Sequence, residues 1–306
     1  MTRAVVFAYS EVGARCLEAL YEAGVDVLLV CTHEDDPHEV RWFASVAEVA
    51  ARHQTRLTTA DVPHDAALQT EIRALAPDFV FSFYYRRMLP APILEAGRRG
   101  ALNMHGSLLP RYRGRAPVNW AILNGETETG ASLHYMVAKP DAGNLVDQAA
   151  VPIGPDDNAV EVAARVADAA VLVLRRTLPA LIAGTAPSQP LDLSAGSYFG
   201  GRRPADGEFQ WTWPAARIHN LVRAVAPPFP GAFARLGEQV VRVHRTRRLG
   251  PAPVAQPPRL VCADGRLVAV CGDGGQLELV DAWLGEERLD ARACTAHFGT
   301  EPLRLS

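Results

Sequence analysis

Several features that would narrow the function are missing from this chain of 306 residues. Its five cysteines are an odd number without a C-x-x-C pair, so neither a disulfide framework nor a zinc site of the usual spacing is indicated. The apolar run "AVVFAY" near the N-terminus is too short for a signal-peptide core, and no window is long enough to span a membrane. We therefore expect a cytoplasmic protein without a membrane span.

The chain also lacks an excess of positive charge. Its formal net charge is -3, and Lys139 is its only lysine. Proteins that bind a phosphate backbone usually carry a concentrated basic face, so nucleic acid is not an expected partner. With 48% hydrophobic and 21% charged residues, the composition is that of a globular protein of one large or two moderate domains.

The N-terminal part alternates short β-branched apolar runs with helix-like segments, from "AVVFAY" to "GALNMH". This alternation predicts βαβ units and a doubly wound, Rossmann-like α/β domain with a mostly parallel sheet. The first βα turn reads "FAYSEVG", with one glycine where a dinucleotide fingerprint needs three. We therefore do not expect NAD or FAD at this turn.

Three parts follow from the pattern along the chain. We expect a larger catalytic domain over residues 1–189 and a linker rich in Gly and Pro over residues 190–206. A smaller β domain should occupy residues 207–306, because its short strand-like runs are separated by Gly/Asp turns.

Polar residues end two of the predicted strands. Asn103 and His105 are two positions apart, so their side chains should share one face of a strand. Asp141 follows the next strand in a Pro/Gly setting that could turn it inward. An amide donor with an acid/base pair suits amide-forming acyl transfer, and such chemistry needs no serine or cysteine nucleophile.

The segment "CTHEDDPHEV" concentrates acidic residues and two histidines. Pro37 breaks a helical register that would direct both histidines at one ion, so we interpret the segment as a solvated loop. We expect no metal in this protein.

The stretch "LNMHGSLLPRYRG" resembles the signature of the formyltransferases that use 10-formyltetrahydrofolate. Asn103, His105 and Asp141 fall on that family's catalytic Asn, His and Asp. The resemblance covers nearly the whole chain, since "WTWPAARIHNLVRAVAPPFPGAF" is similar to the start of the family's smaller OB-like domain. It implies a formyltransferase-type Rossmann-like domain followed by an OB-like β domain.

Within this family, "NGETETGASLHYMV" and "FGGRR" resemble the formyltransferase part of the polymyxin-resistance enzyme that acts on UDP-4-amino-4-deoxy-L-arabinose. The resemblance implies that a UDP-linked amino-sugar is the acceptor, for lipid A modification. Because the chain ends at Ser306, we expect no dehydrogenase part. The identity of the sugar is left open, as is the oligomeric state, for which a homo-oligomer is one alternative.

The resemblance further implies direct transfer, in which the sugar amine attacks the formyl carbon. Asn103 and protonated His105 would hold the oxygen, and Asp141 would relay a proton. Arg202 and Arg203 are candidates for the sugar-nucleotide pyrophosphate, since guanidinium groups suit that anion. The residues implied for the folate pocket are Arg87, Met88, Leu89, Arg115, Val137, Ala138, Lys139, Pro140 and Asp141.

Three other functions remain open. Methionyl-tRNA formylation predicts a basic surface, for which residues 242–248 ("RVHRTRR") offer only a small cluster. A 10-formyltetrahydrofolate hydrolase would use the same three residues with water as the acceptor. A folate- or nucleotide-binding regulator would need no complete catalytic set.

Overall fold

The computed structural model describes residues 1–35, 41–60, 64–252, 257–263 and 265–305. The chain forms two compact units. The first comprises Met1–Pro117, Glu128–Val151 and Ala163–Gly200, and the second comprises Val118–Thr127, Pro152–Val162 and Gly201–Ser306. The boundaries expected from the sequence, 1–189, 190–206 and 207–306, stay a prediction.

The first unit is built on a seven-stranded sheet in the order β3-β2-β1-β4-β5-β7-β8. The pairs from β3 to β5 are parallel, and β7 is antiparallel to β5. The strands in chain order are β1 (Arg3–Ala8), β2 (Asp26–Cys31), β3 (Leu57–Thr58), β4 (Phe79–Phe83), β5 (Gly100–His105), β6 (Arg113–Gly114), β7 (Glu128–Tyr135), β8 (Leu145–Pro152) and β9 (Tyr198–Phe199).

Two central strands are apolar on both faces, as a sheet covered on both sides requires. All five residues of β4 are buried, as are the last five of β1. Phe7, Phe79 and Phe81 are fully buried there. This burial fixes the position of β5, which pairs with β4 along its length.

Helices connect these strands, and polar side chains start several of them. Ser45 accepts the N–H of Glu48, and Asp65 accepts the N–H of Leu68. Asn158 caps the longest helix through its Oδ1, which accepts two backbone N–H groups. The helices are α1 (Ser10–Glu22), α2 (Val46–Arg52), α3 (Ala66–Ala74), α4 (Ala91–Leu94), α5 (Pro117–Leu123) and α6 (Ala159–Ala183).

The second unit contains an antiparallel sheet in the order β10-β11-β14-β13-β12-β16, with β15 paired to β14. Helix α7 packs on β11 and β14, and Trp211 is fully buried with its Nε1 donating to Arg235 O at 2.8 Å. The elements are α7 (Ala215–Ala224), β10 (Ala232–Leu236), β11 (Gln239–Pro251), β12 (Arg259–Ala263), β13 (Arg266–Val270), β14 (Gly275–Leu284), β15 (Glu287–Arg288), α8 (Ala291–Phe298) and β16 (Leu303–Arg304).

The predicted fold class is confirmed: a mostly parallel α/β sheet is followed by a smaller, mainly antiparallel β unit. Within the segment expected to be a linker, β9 pairs in parallel with β6, so part of it belongs to the first unit. Among the described residues, no helix combines the length and the apolar character that crossing a membrane requires.

Candidate active site

Strand β5 presents two polar side chains on one face. Asn103 and His105 alternate with Met104, so they point away from the face on which Met104 is buried. His105 is only 6% exposed and Asn103 is half-buried. The imidazole is therefore largely removed from water, and its protonation depends on its protein neighbours.

Asp141 lies in the turn after β7, with a φ of 48° in the left-handed region that Asp tolerates better than most residues. Its Oδ2 accepts the N–H of Gly114 at 2.8 Å. Its Oδ1 lies 3.6 Å from His105 Nδ1, and it accepts a long hydrogen bond of 3.4 Å from Asn103 Nδ2. The structure thus brings the three residues singled out in the sequence together at one carboxylate oxygen.

His134 joins them and was missed in the sequence. It lies directly across from Asn103 in the antiparallel pairing of β5 and β7, and it is 1% exposed. Its Nδ1 is 2.8 Å from Tyr135 O, so this nitrogen donates. Nε2 is 3.2 Å from Asn103 Nδ2 and 3.5 Å from Asp141 Oδ1. We call Asn103, His105, His134 and Asp141 the polar cluster.

Asp141 carries the negative charge of the polar cluster. Burial acts to raise the pKa of Asp141, but the rings of His105 and His134 and the Gly114 N–H outweigh it and hold that pKa well below its usual range. Burial lowers the pKa of His105, although Asp141 and the Tyr112 carbonyl act in the opposite direction. The carboxylate is therefore ionised, and His105 protonates less readily than a free imidazole.

One nitrogen of His105 is already committed. Its Nε2 is 2.8 Å from Tyr112 O, and because a carbonyl only accepts, Nε2 carries the hydrogen. A second proton would therefore go to Nδ1, beside Asp141. In this arrangement a protonated His105 has only Nδ1–H to offer to the carboxylate or to a reacting group.

The loop after His105 is packed closely against its neighbours. A Cβ on Gly106 would lie 1.9 Å from the Tyr84 hydroxyl oxygen. Gly114 has a φ of 100°, which favours glycine, and a Cβ there would lie 2.1 Å from Phe199 O. Both positions exclude a side chain, so the backbone of the loop is fixed where it passes the polar cluster.

The residues implied for a folate pocket differ in exposure. Leu89 is 8% exposed and packs in the hydrophobic core, whereas Met88 is 58% exposed and Val137 is 46% exposed. Arg115 Nη2 donates to Arg86 O at 3.0 Å. Arg87, Ala138 and Lys139 are exposed, and Pro140 is half-buried.

Three arginines bear on anion binding. Arg113 of β6 is 7% exposed, and within the described part of the chain its Nε has no hydrogen-bond partner. Arg202 belongs to the second unit, where its guanidinium lies 4.9 Å from the Trp120 ring centre and donates to Asp206 O at 2.8 Å. Arg203 is exposed, and its backbone N–H donates to Asp206 Oδ2.

The residues that the structure describes contain no group of three or more His, Cys, Asp and Glu side chains able to hold a metal ion. In the histidine-rich segment, His33 stacks on Tyr85 with ring centres 4.2 Å apart, and its Nε2 accepts the Arg86 N–H. His38 and Glu39 lie outside the described residues.

Two family models match the chain in order. Residues 2–178 match the formyl transferase model, and residues 202–298 match the model of the formyl transferase C-terminal domain. The chain belongs to the formyl transferase family. The family and the enzyme class expected from the sequence are thereby confirmed, whereas the specific relation to the arabinose enzyme is not.

Solved structures share the fold of this formyltransferase. An N-formyltransferase from Helicobacter canadensis, in complex with folinic acid and dTDP-3-aminofucose, has a TM-score of 0.70 at 18% identity over 91% of this chain and 99% of its own. The sugar 3N-formyltransferase WlaRD, with dTDP and 5-N-formyl-THF, gives 0.71 at 16% identity over 94% and 99%. A 4-N formyltransferase from Francisella tularensis gives 0.62 at 17% identity over 78% and 93%.

Proposed function

We propose that this formyltransferase moves a formyl group from 10-formyltetrahydrofolate to the amine of a nucleotide-linked amino-sugar. The observation that carries the proposal is the convergence of Asn103, His105 and Asp141 in one buried cluster. The Helicobacter canadensis and WlaRD structures support it, since they contain folate derivatives with a dTDP-amino-sugar or dTDP.

The polar cluster fits this donor because formyl transfer between two nitrogens needs a hydrogen-bond donor and a proton carrier, and no enzyme nucleophile. When bound, 10-formyltetrahydrofolate supplies an electrophilic formyl carbon. The residues that we propose to hold it are Arg87, Met88, Leu89, Arg115 and the segment 137–141, of which Asp141 also reaches the polar cluster.

Three residues of the polar cluster have a proposed task. Asn103 Nδ2 donates to the formyl oxygen as negative charge develops there, and the loss of one such donor costs about 100- to 1000-fold in rate. His105 Nδ1 and Asp141 take the proton that the attacking amine gives up and return it to the leaving N10. The C–N bond to the acceptor forms, the C–N10 bond breaks and one proton moves, so the reaction balances.

Buried guanidinium groups support an acceptor with a diphosphate. A buried cation without a carboxylate partner is unfavourable unless an anion binds to it. Arg113 is such a group within the described residues of the first unit, and Arg202 has a buried Nε without a hydrogen-bond partner in the second. We propose that Arg202 and Arg203 contact the diphosphate, and separately that Arg113 binds an anion in the first unit.

We propose UDP-4-amino-4-deoxy-L-arabinose as the acceptor, and a role in lipid A modification and polymyxin resistance. This finer assignment rests on the resemblance of "NGETETGASLHYMV" and "FGGRR".

We also propose that residues 1–189 carry the chemistry, with 190–206 as a connection and 207–306 as a supporting OB-like domain. A cytoplasmic location is part of the proposal, because all five cysteines are free thiols.

The test is a spectroscopic assay of 10-formyltetrahydrofolate conversion. The acceptors are UDP-4-amino-4-deoxy-L-arabinose, a panel of dTDP-amino-sugars and methionyl-tRNA, with a reaction lacking any acceptor. Turnover with the UDP-arabinose compound alone supports the full proposal, and turnover with another amino-sugar corrects only the sugar. Equal conversion without an acceptor identifies a hydrolase, and turnover with the tRNA alone would overturn the sugar assignment.

Site variants separate the chemistry from folding. His105→Ala should abolish turnover, whereas His53→Ala should not, because His53 makes a partly exposed contact with Glu18 on the helical surface. Both variants should give the same circular dichroism spectrum as the parent protein. Full activity of His105→Ala would exclude the proposed site.

A further inference from the structure

The segment 196–199, which lies within the part expected to be a linker, is bound along the loop that follows His105. We call residues 196–199 the strap. Its strand β9 pairs in parallel with β6 of that loop. A Cβ on Gly196 would lie 2.3 Å from Pro110 O, so the two backbones are in close contact.

Ser197 makes several of these contacts. Its Oγ accepts the N–H of Tyr112 at 2.8 Å, and its carbonyl accepts the N–H of Arg113 at 3.0 Å. Phe199 continues the pairing, because its carbonyl accepts the Arg115 N–H at 3.0 Å and its ring stacks on Tyr112 with centres 5.3 Å apart. The strap therefore binds both the backbone and the ring of Tyr112.

The same stretch of loop supplies the backbone partners of the polar cluster. Tyr112 O accepts the His105 Nε2–H at 2.8 Å, and the Gly114 N–H donates to Asp141 Oδ2 at 2.8 Å. A continuous chain of contacts thus runs from Ser197 Oγ through the Tyr112 backbone to the His105 ring. Tyr112 has a φ of 57°, a conformation that a tyrosine keeps only where its surroundings hold it.

We propose that Ser197 is a positioning residue for formyl transfer, which acts through the Tyr112 backbone to keep the His105 Nε2–H bonded and its Nδ1 directed at Asp141. The proposal rests on the proposed roles of His105 and Asp141. The strap is therefore a working part of the catalytic unit rather than a passive connection between the two units.

The experiment compares Ser197→Ala with Ser197→Thr, which keeps the hydroxyl. Ser194→Ala is the matched control, because Ser194 lies just before the strap, is exposed, and donates its hydroxyl to Asp192. The backbone pairing of β6 with β9 needs no side chain, so Ser197→Ala should retain the fold. A small misplacement of a catalytic group lowers rates by about 10- to 100-fold.

We expect kcat of Ser197→Ala to fall by about tenfold with little change in KM. Ser197→Thr should recover most of the loss, and Ser194→Ala should match the parent protein. An equal loss in Ser194→Ala, or a change confined to KM, would overturn the proposal.

A second readout does not depend on turnover. NMR titration of the His105 ring should show a lower pKa in Ser197→Ala, because a weakened contact with Tyr112 O removes a group that favours the charged ring. An unchanged His105 titration in Ser197→Ala would overturn the proposal for Ser197 even if no acceptor were turned over. The titration therefore tests Ser197 independently of the proposed function. In the parent protein the Tyr112 N–H should exchange slowly with solvent, and fast exchange would refute the contact without any variant.

Discussion

Asp141→Asn is the change that tests the polar cluster most directly. The substitution keeps the shape of the side chain and an oxygen that can accept the Gly114 N–H, but it removes the negative charge 3.6 Å from His105 Nδ1. The carboxylate also lies 3.5 Å from His134 Nε2, so both rings lose the same partner. The variant therefore isolates the charge from the geometry.

The magnitude follows from the separation. At an effective dielectric constant of about 20, a unit charge 3.6 Å from a protonated His105 contributes roughly 5 kcal/mol of attraction. The pKa of His105, which burial already lowers, should therefore fall further in the variant, because the charge that favours the protonated ring is gone. Nδ1 of His105 would then be a weaker proton acceptor beside an uncharged amide, so we expect turnover to drop by at least about 100-fold.

The assay is NMR titration of labelled histidine, with the His105 signal assigned from His105→Gln, alongside kcat measured across the same pH range. Asp168→Asn is the control, because Asp168 is 69% exposed in an ion pair with Arg15 and should leave both readouts unchanged. A His105 titration in Asp141→Asn that matches the parent protein would refute the electrostatic reasoning. A lowered pKa with full turnover would refute only the proposed role of His105 and Asp141 in proton transfer.

Three further predictions concern packing, linkage and anion binding. Gly106→Ala should destabilise the protein by about 1–3 kcal/mol in chemical denaturation, since its Cβ would meet the Tyr84 hydroxyl, and adding Tyr84→Phe should recover part of the loss. Asp78→Asn should lower the free energy of unfolding by about 1–2 kcal/mol at pH 7. The N–H of Arg3 holds the pKa of Asp78 below its unfolded value, so this difference should be full above about pH 4 and vanish as the pH falls further. Pyrophosphate should raise the Tm of the parent protein but not of Arg113→Gln, and an equal rise in both would exclude Arg113 from anion binding.

The correct predictions from the sequence came from local patterns. The buried strands of the first unit read as apolar runs because covered strands have no polar face, and β1 and β4 are of this kind. Asn103 and His105 share a face because alternation along a strand is independent of the rest of the fold. Asp141 needed one further assumption, that the turn after β7 brings it back to β5, and the structure has this arrangement.

What the sequence did not reveal depends on contacts between distant residues. His134 faces Asn103 only because β5 and β7 pair in one antiparallel register, which no local pattern specifies. Tyr112 O and the Gly114 N–H are backbone atoms, which have no signature in the sequence. Helix α8 was missed because Cys294 is its only buried residue among those described, so its apolar periodicity is weak, although Asp290 caps it.

The proposed roles assign the chemistry and the choice of acceptor to different residues of this formyltransferase. The polar cluster acts only on the formyl group and the attacking atom, so it would serve a sugar amine, a tRNA amine or water equally well. Discrimination between acceptors must then come from groups that recognise the rest of the molecule, and the arginines proposed here are such groups. Variants of Arg202 and Arg203 should therefore change KM for the acceptor more than kcat, whereas variants of the polar cluster should change kcat. If variants of the arginines and variants of the polar cluster changed kcat and KM in the same proportion, the same residues would perform both tasks.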